Sequence, residues 1–98
     1  MAIEIDPEGR EIAALGRVAD WKDSHVLEVG CGDGRLTLRL AGLGARVTAL
    51  DADRSLIRQA RRTLPKAYSK QVRYSVGSAG KLRHPSQSFD LVVFAWSL

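Results

Sequence analysis

The sequence has one cysteine, three prolines, no long apolar run and, between residues 54 and 89, no acidic residue. Cys31 alone cannot form an intrachain disulfide, and no second thiol or nearby histidine gives it metal-ligand spacing, so redox and zinc roles are not expected. No apolar stretch approaches the roughly 20 residues that cross a bilayer. The start, Met1-Ala2-Ile3-Glu4-Ile5-Asp6, has neither a basic n-region nor an apolar h-region. No membrane partner and a cytoplasmic location are therefore the expectations.

What is present suits one small folded domain. The 98 residues are 45% hydrophobic and 27% charged, with apolar positions spread along the chain, a composition that folds rather than stays disordered. Charge is uneven. Residues 1–53 carry ten acids and six bases, residues 54–89 carry nine bases, and Asp90 adds the last acid. An anionic partner such as nucleic acid is one explanation and a solvated helix face the other. The bases lack the interleaved aromatics of a stacking platform, which favours the solvated face over nucleic acid.

Apolar spacing orders the elements. Asp6-Pro7 resembles a helix start, with Ile12, Leu15 and Ala19 recurring towards Trp21. His25–Val29 is short, β-branched and closed by glycine, which predicts a first buried strand. From Asp33 to Leu43, Leu36, Leu40 and Leu43 form one stripe with Arg35 and Arg39 opposite, and Gly44 stands where a helix end wants positive φ. Arg46–Leu50 reads as a second strand. Asp53 then caps a helix running to Pro65, with Leu56, Ile57, Ala60 and Leu64 inward and Arg54, Arg58, Arg61 and Arg62 outward. Val72–Val76 gives a third strand and Phe89–Trp96 a fourth. Strands separated by helical patterns predict an α/β fold of parallel βαβ units with right-handed crossovers.

The chemistry concentrates where the first strand meets the next helix, in Val26-Leu27-Glu28-Val29-Gly30-Cys31-Gly32-Asp33-Gly34. Glycine at the carboxyl end of a strand lets backbone approach a ligand without a Cβ in between, and the following helix N-terminus favours an anionic group. Asp51 ends the next strand, where a carboxylate can accept hydrogen bonds from both hydroxyls of an adenosine ribose. A carboxylate closing an apolar strand is costly unless it binds something, so Asp51 is the leading single candidate. Arg35 stands where the dinucleotide fingerprint G-x-G-x-x-G/A wants a small residue, and its side chain would oppose close packing of helix on strand, which places nicotinamide cofactors second. Gly80-Lys81-Leu82 fails the phosphate-loop pattern. Cys31 reads as a small filler of the turn rather than a nucleophile, and His25, His84, Trp21 and Trp96 as edge, surface or packing residues.

In four ordered segments the sequence resembles the class I S-adenosylmethionine-dependent methyltransferases, and more narrowly the type 11-like domain. These are the glycine segment, Val47-Thr48-Ala49-Leu50-Asp51-Ala52-Asp53, Gly77-Ser78-Ala79, and Ser88-Phe89-Asp90-Leu91-Val92-Val93. The resemblance implies a Rossmann-like, doubly wound parallel sheet of strand order 3-2-1-4 with flanking helices, binding S-adenosyl-L-methionine as its small-molecule cofactor. It implies that Gly30, Cys31, Gly32 and Gly34 form the cradle for the methionine part, with Glu28 supporting the turn or the amino group through water. Asp51 would hold the ribose, Ala52 the adenine edge, Ser78 and Ala79 the adenine, and Ala95 the methionine side. Ser78 departs from an aspartate common in the family, and a neutral hydroxyl is the weaker acceptor.

Family members continue past the fourth strand with acceptor-binding elements. The expectation is therefore a single domain over residues 1–98, incomplete at its C-terminus, with the acceptor and any general base unassigned. It follows that the fourth strand would be an uncovered edge, through which the chain could self-associate. A non-catalytic module using the basic helix Arg54 to Lys66 is a third reading.

Overall fold

A computed structural model describes residues 2–5, 21–77 and 89–95 of the chain. Five parallel strands form one sheet: β1 (Ala2–Ile5), β2 (His25–Val29), β3 (Arg46–Asp51), β4 (Val72–Val76) and β5 (Leu91–Ala95). Helix α1 (Arg35–Gly42) joins β2 to β3, and helix α2 (Arg54–Thr63), followed by a single 3-10 turn at Lys66–Tyr68, joins β3 to β4. The spatial order is β1-β5-β2-β3-β4. Counted over the four expected strands, this is the order 3-2-1-4.

The difference lies at the first residues. Ala2–Ile5 pairs in parallel with β5, in register Ala2 with Val92 through Ile5 with Ala95. The fourth expected strand is thus no open edge. It has β2 on one side and β1 on the other, and the edge-strand ground for self-association falls with that correction. The helix expected from Asp6 towards Trp21 lies outside the described residues. No described helix is long and apolar enough to cross a membrane.

In the central strand β2, Val26, Leu27 and Glu28 are all buried, whereas edge strand β4 alternates buried Val72 and Tyr74 with exposed Arg73, the contrast between a strand covered on both faces and one covered on a single face. Val26, Val47, Ala49, Val72, Leu91 and Val93 are buried in the sheet, and Leu36, Leu40, Ile57 and Ala60 on the helices close over them. The stripe predicted for α1 holds, with Leu36 and Leu40 buried and Leu43 packed at the margin. Gly44 adopts φ +95° and its amide donates to Ala41 O at 2.9 Å. The Gln71 side-chain amide donates to Ala41 O and Ala45 O, both at 3.1 Å. Carbonyls at the end of a helix have no intrahelical donor, so such partners prevent a buried acceptor from going unsatisfied.

The start of α2 is capped as predicted. Asp53 Oδ1 accepts from Ser55 N at 2.9 Å and Leu56 N at 3.3 Å, and these bonds, with that from the Ser55 hydroxyl, hold its carboxyl below the ordinary value. Arg54, Arg58, Arg61 and Arg62 are exposed. The Arg61 guanidinium also donates to Tyr74 O at 2.8 Å, fastening the helix to β4.

Candidate functional site

The β2–α1 turn and the end of β3 lie together at the carboxyl end of the sheet. Gly30 N and Cys31 N both donate to Leu50 O, at 2.8 and 2.9 Å. Gly32 N donates to Asp51 Oδ2 at 2.9 Å, and Asp53 N donates to Asp51 Oδ1 at 2.8 Å. Asp51 therefore has a structural function that strand periodicity did not reveal: each carboxylate oxygen already receives one backbone amide. A carboxylate oxygen has two lone pairs, so each keeps capacity for a further donor such as a ribose hydroxyl.

The three glycines of the turn do different work. A Cβ on Gly30 would stand 2.5 Å from Ala95 O, and one on Gly34 would collide with the Tyr74 hydroxyl. Gly30 lets β5 approach the turn, and Gly34 makes room for the Tyr74 side chain of β4 at the start of the helix. A Cβ on Gly32 would meet nothing within 4 Å, so Gly32 is the member of the turn whose missing side chain faces room for a ligand. Helix α1 begins at Gly34 with no side-chain cap, which leaves its N-terminal dipole available to an anionic group.

Arg35, expected to oppose close packing of the helix on the strand, instead has a side chain 84% exposed and ion-paired to Asp33 at 3.5 Å, so it points to solvent and does not hinder that packing. The close-packing position is Gly34, one residue earlier. Cys31 is buried, and burial first, then the charges of Glu28 and Asp51, push its thiol far above the ordinary value. A thiol held so firmly protonated is a poor nucleophile, in keeping with its reading as a filler of the turn.

Glu28 is the least conventional member. It is fully buried in β2, where an unpaired carboxylate is costly. Its Oε1 accepts from the Thr37 hydroxyl of α1 at 2.5 Å, while Oε2 has no hydrogen-bond partner among the described residues. Burial, which outweighs the Thr37 hydrogen bond, pushes its carboxyl up to about 7, and the nearby charge of Asp51 adds to the rise. The Tyr74 hydroxyl, close against Gly34, is likewise pushed up to about 12 by burial. Thr37 and Tyr74 were missed in the sequence. The available signal was Glu28 itself, two residues after Val26 and so on the same face of a buried strand, where a carboxylate requires a partner.

Ala52 follows Asp51 at the surface, and Ala95 ends β5 with its carbonyl against Gly30. The structure therefore gathers Glu28, Gly30, Cys31, Gly32, Gly34, Asp51, Ala52 and Ala95 around one end of the sheet. Ser78 and Ala79 lie outside the described residues.

Residues 26–98 match a protein family described as a methyltransferase domain. The Ubiquinone biosynthesis O-methyltransferase of Xanthomonas oryzae pv. oryzae is 42% identical over 74 residues, which cover 74% of this chain and 30% of that protein. An S-adenosylmethionine-dependent methyltransferase from Mesorhizobium loti has the same fold, with a TM-score of 0.75 at 24% identity, covering 93% of this chain and 40% of that one. Phosphoethanolamine N-methyltransferase 1 of Haemonchus contortus, solved with phosphoethanolamine and S-adenosylhomocysteine, gives a TM-score of 0.75 at 27% identity, covering 93% of this chain and 19% of that one. The chain thus spans under a third of the curated relative's length.

Proposed function

Since the chain belongs to the methyltransferase-domain family, we propose that it forms the donor-binding part of an S-adenosylmethionine-dependent methyltransferase. The observation that carries this reading is the Gly32–Asp51 hydrogen bond. It brings the ligand-facing glycine and the strand-end acid to one place at the carboxyl end of a parallel sheet, where doubly wound folds bind nucleosides.

In this reading Asp51 accepts from the ribose hydroxyls, and the backbone of Gly30, Cys31 and Gly32 lies along the methionine part, with Gly34 opening the helix beside it. Ala52 lines the adenine edge, Ser78 and Ala79 contact the adenine, and Ala95 borders the methionine side. Glu28 supports the turn from beneath. When bound, the donor supplies an activated methyl group for in-line transfer to a nucleophilic atom of the acceptor. The protein's contribution is to hold that methyl in near-attack geometry. The acceptor is unassigned. The cytoplasm, where a lone buried thiol stays reduced, is its proposed location.

The test is a thermal shift with S-adenosylhomocysteine, with NAD as the control. A ligand that binds only the folded state raises the melting temperature. The expected result is a rise with S-adenosylhomocysteine, none with NAD, and loss of the rise in Asp51→Ala. No rise at saturating S-adenosylhomocysteine, or a rise with NAD instead, overturns the proposal.

A further inference from the structure

We propose that Thr37 is a positioning residue of the donor site, acting through Glu28. The inference rests on the donor-site reading above and concerns groups beneath that site.

Thr37 is fully buried in the first turn of α1. A buried threonine in a helix ordinarily turns its hydroxyl back to a carbonyl of its own helix. Here the hydroxyl reaches across to Glu28 Oε1 on β2. The ligand-facing turn is strung between these two residues, so their hydrogen bond sets the separation between the end of β2 and the start of α1. Tyr74 comes from β4 on the far side of β3. Its hydroxyl abuts Gly34, at the start of the same helix. Buried polar groups of three elements thus lie below the cradle, and the Thr37–Glu28 hydrogen bond joins two of those elements.

Among the described residues, Glu28 Oε2 has no hydrogen-bond partner. A buried carboxylate tolerates its charge only when hydrogen bonds or a cation favour the ionised form. The Thr37 hydroxyl is such a donor, and the ammonium of a methionine-containing ligand would favour the same form electrostatically. Among the described residues, the titratable groups acting on Glu28 or acted on by it are Asp51 of β3, Cys31 in the turn and Tyr74 of β4. None supplies a positive charge. Without the Thr37 hydroxyl the neutral carboxyl is favoured further, and the electrostatic contribution to ligand binding is lost at a higher pH.

The test is calorimetric titration with S-adenosylhomocysteine from about pH 6 to about pH 8 on wild type, Thr37→Val, Thr37→Ala, Thr37→Ser and Glu28→Gln. Wild-type affinity should fall as pH is lowered through this range. Thr37→Val should bind roughly tenfold more weakly, a loss typical of an outer-shell partner, with its fall displaced to higher pH. Thr37→Ser, which restores the hydroxyl, should restore both affinity and pH profile. Thr37→Ala, which removes the same hydroxyl, should weaken binding and move the profile as Thr37→Val does, and it serves as the test if the valine variant does not fold. Glu28→Gln should show no pH dependence in this range.

Wild-type affinity and an unmoved pH profile in folded Thr37→Val, whatever its melting temperature, would reduce Thr37 to a packing residue and overturn the inference. For a valine variant that does not fold, wild-type affinity and an unmoved profile in Thr37→Ala do the same. Absence of S-adenosylhomocysteine binding by wild type at every pH is a different failure, and it removes the donor-site reading itself.

Discussion

The Gly32 amide donates to Asp51 Oδ2 at 2.9 Å, so the turn after β2 and the acid ending β3 are held by a direct bond. In parallel strands paired Val29 to Leu50, the residues just past each carboxyl end are close by construction. The bond converts that proximity into a fixed distance. Asp51 then sets the path of the β3–α2 connection as well, because its other oxygen accepts from Asp53 N and Asp53 in turn caps α2.

Asp51→Ala should therefore cost stability before any ligand is considered. Two backbone amides lose their acceptor, and a polar group left unpaired typically costs about 1–3 kcal/mol, less where water reaches it. Denaturant melts of the unliganded protein should show this loss, with Asp51→Asn, which keeps one acceptor oxygen, falling between. Equal midpoints for wild type and Asp51→Ala would mean that water replaces both bonds at no cost.

The glycines should separate by position. Gly34→Ala places a Cβ against the Tyr74 hydroxyl at a residue with φ +94°, combining left-handed backbone strain with overpacking, about 2–4 kcal/mol together. Gly32→Ala has φ +58° but open space and should cost about 1–2 kcal/mol. Tyr74→Phe in the Gly34→Ala background should recover part of the loss, because it removes the atom nearest the new methyl. A strictly additive double mutant, measured by denaturant melts, would show that Gly34 and Tyr74 do not press on each other.

Those pairings mark what the sequence could and could not reveal. His25–Val29 and Val72–Val76 were readable to the residue, since short β-branched runs bounded by polar residues leave little choice of register. Asp53 was readable as a cap because capping is local. Ala2–Ile5 was not read as a strand, for its partner lies about ninety positions away in β5 and four residues carry no periodicity of their own. Asp51 was found, and its bond to Gly32 was not, because that bond depends on parallel pairing. Thr37 and Tyr74 stayed hidden for the same reason. One sits among apolar helical residues and the other in an alternating strand, and their chemistry arises only where α1, β2 and β4 meet.

Covering of β5 by β1 leads to a prediction about association. Removal of residues 1–5 should uncover the β5 ladder, leaving an apolar strand, Leu91-Val92-Val93-Phe94-Ala95, with unpaired amides and carbonyls. Such an edge is a template for pairing with another chain. Light scattering should show a concentration-dependent rise in mass for the shortened chain relative to the full one. Identical masses would mean that something other than β1 protects that edge.

The last prediction concerns pH and stability. Glu28 carries its proton to about pH 7 in the folded protein, mainly because burial disfavours its charge, against an ordinary value of 4.5. The folded state therefore binds the proton more tightly than the unfolded state. By linkage, stability must fall as pH rises from about 4.5 to about 7, and this contribution is flat above that. Glu28→Gln removes the titration while keeping an oxygen that can accept from Thr37. Relative to wild type, the glutamine variant should gain about 1–3 kcal/mol between pH 5 and pH 8, whatever the fixed cost of the substitution at the lower pH. The difference between two pH values is the measure, which cancels that fixed cost. Denaturant melts giving the same wild-type-to-variant difference at both values would show that Glu28 is ionised across the range, and that some group supplies Oε2 with the partner it otherwise lacks.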